Sequence, residues 1–364
     1  MRDGFAVDKW LLLSIAGLLA VGITMVLSTS YLYSQERFAD GTYFFRKQLI
    51  AAGIGGSALI ACALVPSSAY RRLAYPLLGF TLLVLVLVLI PGVGLVRGGA
   101  RRWLALPGFA FQPAELAKLA MVFYLAHSMA KKEETIRTFR LGVLPHLIVG
   151  GIFLGVLLLE PDFGTALILA ALLYLMLFIG GARVPHLLAT GLIALPVLIY
   201  AMLTAEYRLR RLMTFWDPWR EASGSGFQVI QSLIAFGSGQ FLGRGLGESR
   251  QKLFYLPEAH TDFIYSVIGE ELGLLGALTI LGLFAVIILR GFRLTARIEE
   301  PFEQYLAFGL TILLGLQALI HMGVVMGLMP TKGLVLPFIS YGGSAMVINL
   351  TEAGILLGLS RRRL

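Results

Sequence analysis

Five ionisable side chains fall within LPEAHTDFIYSVIGEELG, residues 256–273: Glu258, His260, Asp262, Glu270 and Glu271. The stretch runs straight into the apolar GLLGALTILGLFAVIIL. A carboxylate beside a low-dielectric wall gains proton affinity through desolvation. Asp262, at the start of the apolar run, is therefore suited to take a proton from a hydroxyl. The competing role for it is a helix cap, a contribution of about 1 kcal/mol. Glu258 and His260 stand close enough to tune it. Glu270 and Glu271 lie about two helical turns further in, where at least one should face a bundle interior as support.

Other clusters carry positive charge. In GGARRWLALPGFAFQPAELAK, 98–118, two glycines precede Arg101, Arg102 and Trp103. Arginine grips phosphate in bidentate fashion, and an indole face stacks on a sugar or sits at headgroup depth. Glu115 and Lys118 follow three residues apart, on one helix face, as an ion pair or a functional pair. In YRLRRLMTFWDPW, 207–219, Arg208, Arg210 and Arg211 alternate with apolar and aromatic residues, the composition of a membrane-surface element. MGLMPTKGLVLPFISYGGSA, 326–345, has Lys332 as its one charge, a candidate phosphate ligand, and Ser340 as a candidate substrate-binding residue that can donate a hydrogen bond. In LLLEPDFGTALIL, 157–169, Glu160 and Asp162 flank Pro161, and capping by Asp162 outweighs catalysis there. The glycines of 226–249 make no nucleotide loop, because no GK[ST] follows them.

The elements that must position these residues are membrane helices. The chain has 364 residues, of which 57% are hydrophobic and only 14% charged, against about a quarter charged in soluble domains. Apolar runs recur near the ~20 residues that cross a bilayer core. Ten spans are expected, at about 10–30, 47–65, 74–91, 113–130, 142–159, 163–181, 184–203, 263–289, 305–328 and 341–359. A long loop, about 204–262, separates the seventh from the eighth. The fold class is an all-α polytopic membrane protein, one membrane domain over 1–364, with its first span uncleaved. Cys62 is the single cysteine, so neither an intrachain disulfide nor a cysteine metal cluster can form.

Even parity puts both termini on one side. Short loops and termini there hold fifteen Lys and Arg residues, among them Arg2, Arg362 and Arg363, against seven in the opposite short loops. The termini are therefore expected in the cytoplasm. Arg101, Arg102 and the 207–211 basics then face outwards. Net charge +9 with basics on that face suits an anionic partner such as a lipid phosphate or pyrophosphate.

The four motifs LPEAHTDFIYSVIGEELG, MPTKGLVLPFISYGGSA, GGARRWLALPGFAFQPAELAK and EPDFGTA, in this order-preserving arrangement with ten spans, resemble the SEDS family (shape, elongation, division and sporulation). PEAHTDF with PTKG is most similar to its division branch, with the sporulation and elongation branches as alternatives. The resemblance implies a peptidoglycan glycosyltransferase that polymerises lipid II on the outer face of the bacterial cytoplasmic membrane. It implies a class B penicillin-binding protein and other division membrane proteins as partners, not nucleic acid. The matching catalytic residue is Asp262, the base for the acceptor sugar's 4-hydroxyl in one inverting displacement. Arg101, Arg102, Arg208, Arg210, Arg211 and Lys332 are the candidates to stabilise the departing pyrophosphate, with room for a divalent cation bound to it. A rival reading is a lipid II flippase, with Glu115, Lys118, Glu270, His321 and Glu352 along a polar path. A third is a non-catalytic scaffold.

Overall fold

The computed structural model describes residues 7–97, 99–106, 109–203, 206–253 and 256–361. Arg2, Gly98, Arg362 and Arg363 of the sequence reading lie outside the described residues. Among the described residues, seven helical segments are long and apolar enough to cross a membrane. They are α1 (Lys9–Phe38), α2 (Tyr43–Leu64), α3 (Ser67–Leu89), α5 (Leu144–Leu159) with the π-helical turn before it, α11 (Gly273–Arg297), α12 (Pro301–Val325) and α13 (Gly343–Arg361). The apolar stretches of α6 (Phe163–Ile179) and α7 (Val184–Leu203) are shorter. α4 (Pro113–Lys131) occupies the fourth expected span but carries Glu115 and Lys118. The architecture is a multi-pass helical membrane protein; among the described residues, length and apolar character support six of the ten expected spans as read and the eighth in its second part.

Helix ends follow from local chemistry. Asp8 caps α1 by accepting from the amides of Trp10 and Leu11, and Asp162 caps α6 by accepting from Thr165 N. Proline opens α4 and α12, where its missing N–H costs nothing. α4, α12 and α13 are buried along most of their length and form the core of the bundle, with α2 along α13 and α3 along α4. The segments that begin α1 and end α13 meet at one end of that bundle. Asp8 N donates to Ser360 Oγ at 3.2 Å, and the Asp8 carboxylate pairs with Arg290 at 2.5 Å.

The opposite end departs from the all-α expectation. Three strands, β1 (Gly94–Arg97), β2 (Ala100–Leu106) and β3 (Phe109–Phe111), form an antiparallel sheet. Nothing in the apolar periodicity of the flanking spans announced it. The long loop folds into α8 (Glu206–Trp216), a short 3₁₀ turn and α9 (Phe227–Gly239) at the same end. Trp216 and Trp219 on this segment stay exposed, as an interfacial element requires.

The expected eighth span, 263–289, is also corrected. It is two helices, α10 (Ile264–Glu271) and α11, broken at Leu272–Gly273. A break leaves helix-end carbonyls and amides without partners. Residues 240–245 satisfy them. Arg244 N and Gly245 N donate to Glu270 O and Glu271 O, while Leu274 N and Leu275 N donate to Gln240 O and Phe241 O. Gly273 has φ +68, and a Cβ there would stand 2.3 Å from Gly243 N, so this crossing requires glycine.

Candidate active site

The segment that carries Asp262 is held by backbone and buried polar bonds. Ser340 Oγ donates to Thr261 O at 2.7 Å and accepts from Leu336 N at 2.9 Å; Tyr341 N donates to His260 O at 2.9 Å. Gln48, buried within α2, ties the same strap: its Nε2 donates to Ser340 O at 3.1 Å. Ser340 was expected among the substrate-binding residues. Its hydroxyl is instead consumed in positioning the Asp262 turn, and the side chain is buried. The His260 ring is packed among Tyr33, Phe44 and Tyr341, with centroids 5.5, 4.7 and 5.8 Å away. Burial pulls its pKa down, against the opposing pull of Glu258, so it is a neutral wedge at neutral pH.

Asp262 does not cap the helix that follows it. The N-cap of α10 is Phe263, with no side-chain cap bond. The carboxyl faces cations supplied by separate elements. Burial pushes its pKa up to about 7, aided by Glu258; Arg211 and Arg102 pull it back down. Its Oδ2 lies 3.0 Å from where a Cβ on Gly333 would stand, so the loop that follows Lys332 passes directly against it.

The arginines divide by geometry. Successive strand residues point to opposite faces. Arg101 therefore turns back to donate to Leu89 O at the end of α3, 3.0 Å, a favourable place for a cation. Arg102 points the other way, donates Nε to Glu160 O at 3.1 Å and also bonds the Pro161 carbonyl, and lies within the field of Asp262. On α8, Arg208 and Arg211 share a face by their i,i+3 spacing. Arg211 reaches Thr331 O at 3.4 Å, and Arg208 stands 5.7 Å from the Phe163 ring centre. Lys332 stands 5.4 Å from the same ring, and burial lowers its pKa to about 8. Arg210 is exposed on the flank of α8. Trp103 is half-buried on β2, paired in register with Leu95. The structure thus gathers Asp262, Arg102, Arg208, Arg211 and Lys332, and sets Arg101 apart.

The supporting residues also separate. Glu258 is exposed with φ +56, and its carboxylate accepts from Thr261 Oγ1 at 2.9 Å. Glu270 and Glu271 are both fully buried. Glu270 accepts from Arg250 N at 3.1 Å and Gln251 N at 3.3 Å, and bonds the Ser249 hydroxyl. Glu271 pairs with Lys252 Nζ at 2.8 Å and accepts from Ser28 Oγ of α1. They anchor residues 249–252 to the helix break. Glu115 and Lys118 pair at 2.8 Å inside α4. Among the described residues, no three His, Cys, Asp or Glu side chains converge as metal ligands.

Sequence reasoning missed Phe163, the ring between Arg208 and Lys332, and Gly333, whose missing side chain lets the loop approach Asp262. It also missed Gln48 and Gln317, although a polar residue inside an apolar run is a visible signal.

The chain belongs to the FtsW/RodA/SpoVE family of cell cycle proteins, whose model matches residues 9–364. It is 47% identical to the "Probable peptidoglycan glycosyltransferase FtsW" of Trichlorobacter lovleyi, over 97% of this chain and 93% of that one. It is 42% identical to the stage V sporulation protein E of Bacillus subtilis, over 96% and 90% of the two chains. The crystal structure of the rod shape determining protein RodA of Thermus thermophilus superposes with a TM-score of 0.73 at 29% identity, covering 100% of this chain and 99% of that one. A chain from a study of polymerization and crosslinking by a peptidoglycan synthase complex superposes with a TM-score of 0.81 at 31% identity, covering 99% of each.

Proposed function

We propose that this chain is a peptidoglycan glycosyltransferase that polymerises lipid II, serving septal wall synthesis, with the Asp262 end of the bundle outside the cytoplasmic membrane and both termini inside. One observation carries the reading. A carboxyl that caps nothing, with a pKa near neutrality, faces cations from β2 and α8 and the loop that carries Lys332. That is the arrangement for deprotonating a hydroxyl beside a departing diphosphate. Asp262 takes the proton of the acceptor 4-hydroxyl as its oxygen attacks the donor sugar in line. The bond to the lipid pyrophosphate breaks, with Arg102, Arg211, Lys332 and Arg208 balancing the charge that develops. The names of the relatives support the same activity.

A class B penicillin-binding protein is the proposed partner, with other division proteins around it. A divalent cation would be held chiefly by the pyrophosphate oxygens, and no step is assigned to it. Two groups of the flippase reading's polar path are already engaged. Glu115 is paired with Lys118, and Glu270 is spent on the outer loop. The test is lipid II polymerisation by the purified chain, with and without its partner, beside headgroup translocation in proteoliposomes. Glycan strands without translocation are expected; translocation without strands would overturn the reading.

A further inference from the structure

The motif EPDFG carries two acids, and the helix that follows uses one of them. Asp162 caps α6: its carboxyl accepts from Thr165 N at 3.1 Å and from Thr165 Oγ1 at 2.9 Å. Glu160 ends α5 on the other side of Pro161 and is fully buried. Neither of its carboxyl oxygens has a hydrogen-bond partner. A carboxyl without water or partners is costly to bury, and far more so when it is charged.

Arg102 of β2 is the neighbour that could pair with this acid, and it does not. Its Nε donates to the Glu160 backbone carbonyl at 3.1 Å, and its Nη2 donates to the Pro161 carbonyl. An ionised carboxylate in the field of a guanidinium would draw those donors to itself, because a charge-assisted pair is stronger than a bond to a neutral carbonyl. The geometry therefore describes a protonated Glu160. Burial pushes its pKa up to about 8, with Asp162 adding to the rise and Arg102 opposing it. Two backbone carbonyls aim the guanidinium without cancelling its charge, and three of its five N–H groups remain beyond those two bonds.

The other charged neighbours come from separate elements. Arg208 of α8 and Lys332 stand 5.7 and 5.4 Å from the ring of Phe163, the first residue of α6. Asp262 is the second acid whose field Arg102 enters. Arg102 is thus shared by two carboxyls. One takes the proton of the proposed reaction, and the other has no part in the reaction as described.

We propose that Glu160 is a positioning residue that sets how much positive charge Arg102 offers the departing diphosphate. Its main-chain carbonyl, with that of Pro161, fixes where the guanidinium points. Its side chain, kept as the neutral acid, leaves the full charge to the substrate. When Glu160 loses its proton to solvent, the carboxylate takes Arg102 as its partner and transition-state stabilisation falls. This inference rests on Arg102 balancing the diphosphate in the proposed reaction.

The test is a profile of kcat/KM for lipid II polymerisation from pH 6 to pH 10, with the full chain and its penicillin-binding partner. Glu160→Gln and Glu160→Met are compared with wild type, since neither new side chain can ionise. One unit above a pKa of about 8, about a tenth of the acid keeps its proton. Relative to its own maximum, each variant should therefore retain about tenfold more kcat/KM at pH 9 than wild type does. An alkaline fall caused by Lys332 is common to all three proteins and cancels in that ratio. In an Arg102→Gln background the same substitutions should give no such gain, because the effect runs through Arg102. No gain in either variant, as a Glu160 that only supports the fold would give, or the same gain without Arg102, would overturn the proposal. If Glu160→Gln does not fold, Glu160→Met decides, since it leaves no polar group unpaired; if neither folds, the carboxyl is structural and the proposal fails. Wild-type polymerisation by Arg102→Gln alone would overturn the role of Arg102 in the proposed function and Glu160 with it, whereas the earlier results overturn Glu160 alone.

Discussion

The two ends of α10 carry acids that look alike in sequence and differ in everything else. At its C-terminal end Glu270 and Glu271 are fully buried and saturated, by backbone amides 250 and 251, by Ser249 and Ser28, and by Lys252. Just before its N-terminal end, Asp262 caps nothing and is pushed up to about 7. Hydrogen bonds and ion pairs stabilise the charged form of a buried carboxyl, while desolvation without them raises its proton affinity. One end is therefore an anchor, and the other is left with the proton affinity that the proposed base requires. The lesson is that chemistry sits where the fold withholds partners, and structure sits where it supplies them.

The sharpest way to break this comparison is to neutralise each end. Asp262→Asn should lower polymerisation by about 10²–10⁴-fold, the range of a lost general base. The same change should raise stability at pH 8. A folded-state pKa raised from 3.8 to about 7 means the folded chain loses stability as pH rises through that window, and Asn removes the cost. After allowance for solvent the gain is of the order of 1 kcal/mol. Glu271→Ala should act in the opposite sense, costing about 3–5 kcal/mol because it strands Lys252 without its carboxylate. Thermal unfolding in detergent measures both, and the activity of Glu271→Ala should fall only with the loss of folded protein.

The next contrast lies within β2. Arg102→Gln should cut kcat/KM by about 10²-fold, as loss of a charge-stabilising donor does, whereas Arg101→Gln should cost about 0.5 kcal/mol at the end of α3 and spare the rate. The pH dependence is a finer test. The wild-type rate should rise with pH on a limb near 7, set by deprotonation of Asp262, in a profile of kcat/KM. Asp162→Ala should likewise act on stability alone, a loss of about 1 kcal/mol from the α6 cap with activity kept, measured by thermal unfolding.

Much of this was legible in the sequence because membrane spans and charged motifs are one-dimensional signals. The apolar runs placed the helices, and the same lip of charge singled out Asp262. Three features were not legible. The three-stranded sheet is built from short pairings between β1, β2 and β3, whose register no local pattern prescribes. The break at Leu272–Gly273 depends on residues 240–245 supplying hydrogen bonds from a distant loop. The division of the arginines depends on strand alternation and on the face of α8, so Arg101 and Arg102 could be told apart only once β2 was known. Ser340 was recognised as a donor but not as part of the strap behind Asp262, because its partner, Thr261 O, is a backbone atom from a distant segment.

The central claim is that Asp262 is the base of a glycosyl transfer, not a support for α10. It is tested most directly by the initial rate of lipid II polymerisation, with the penicillin-binding partner present and transpeptidation blocked, for wild type and for Asp262→Asn. The account predicts a variant that folds, binds its partner and makes almost no glycan. A variant that polymerises at the wild-type rate would contradict it.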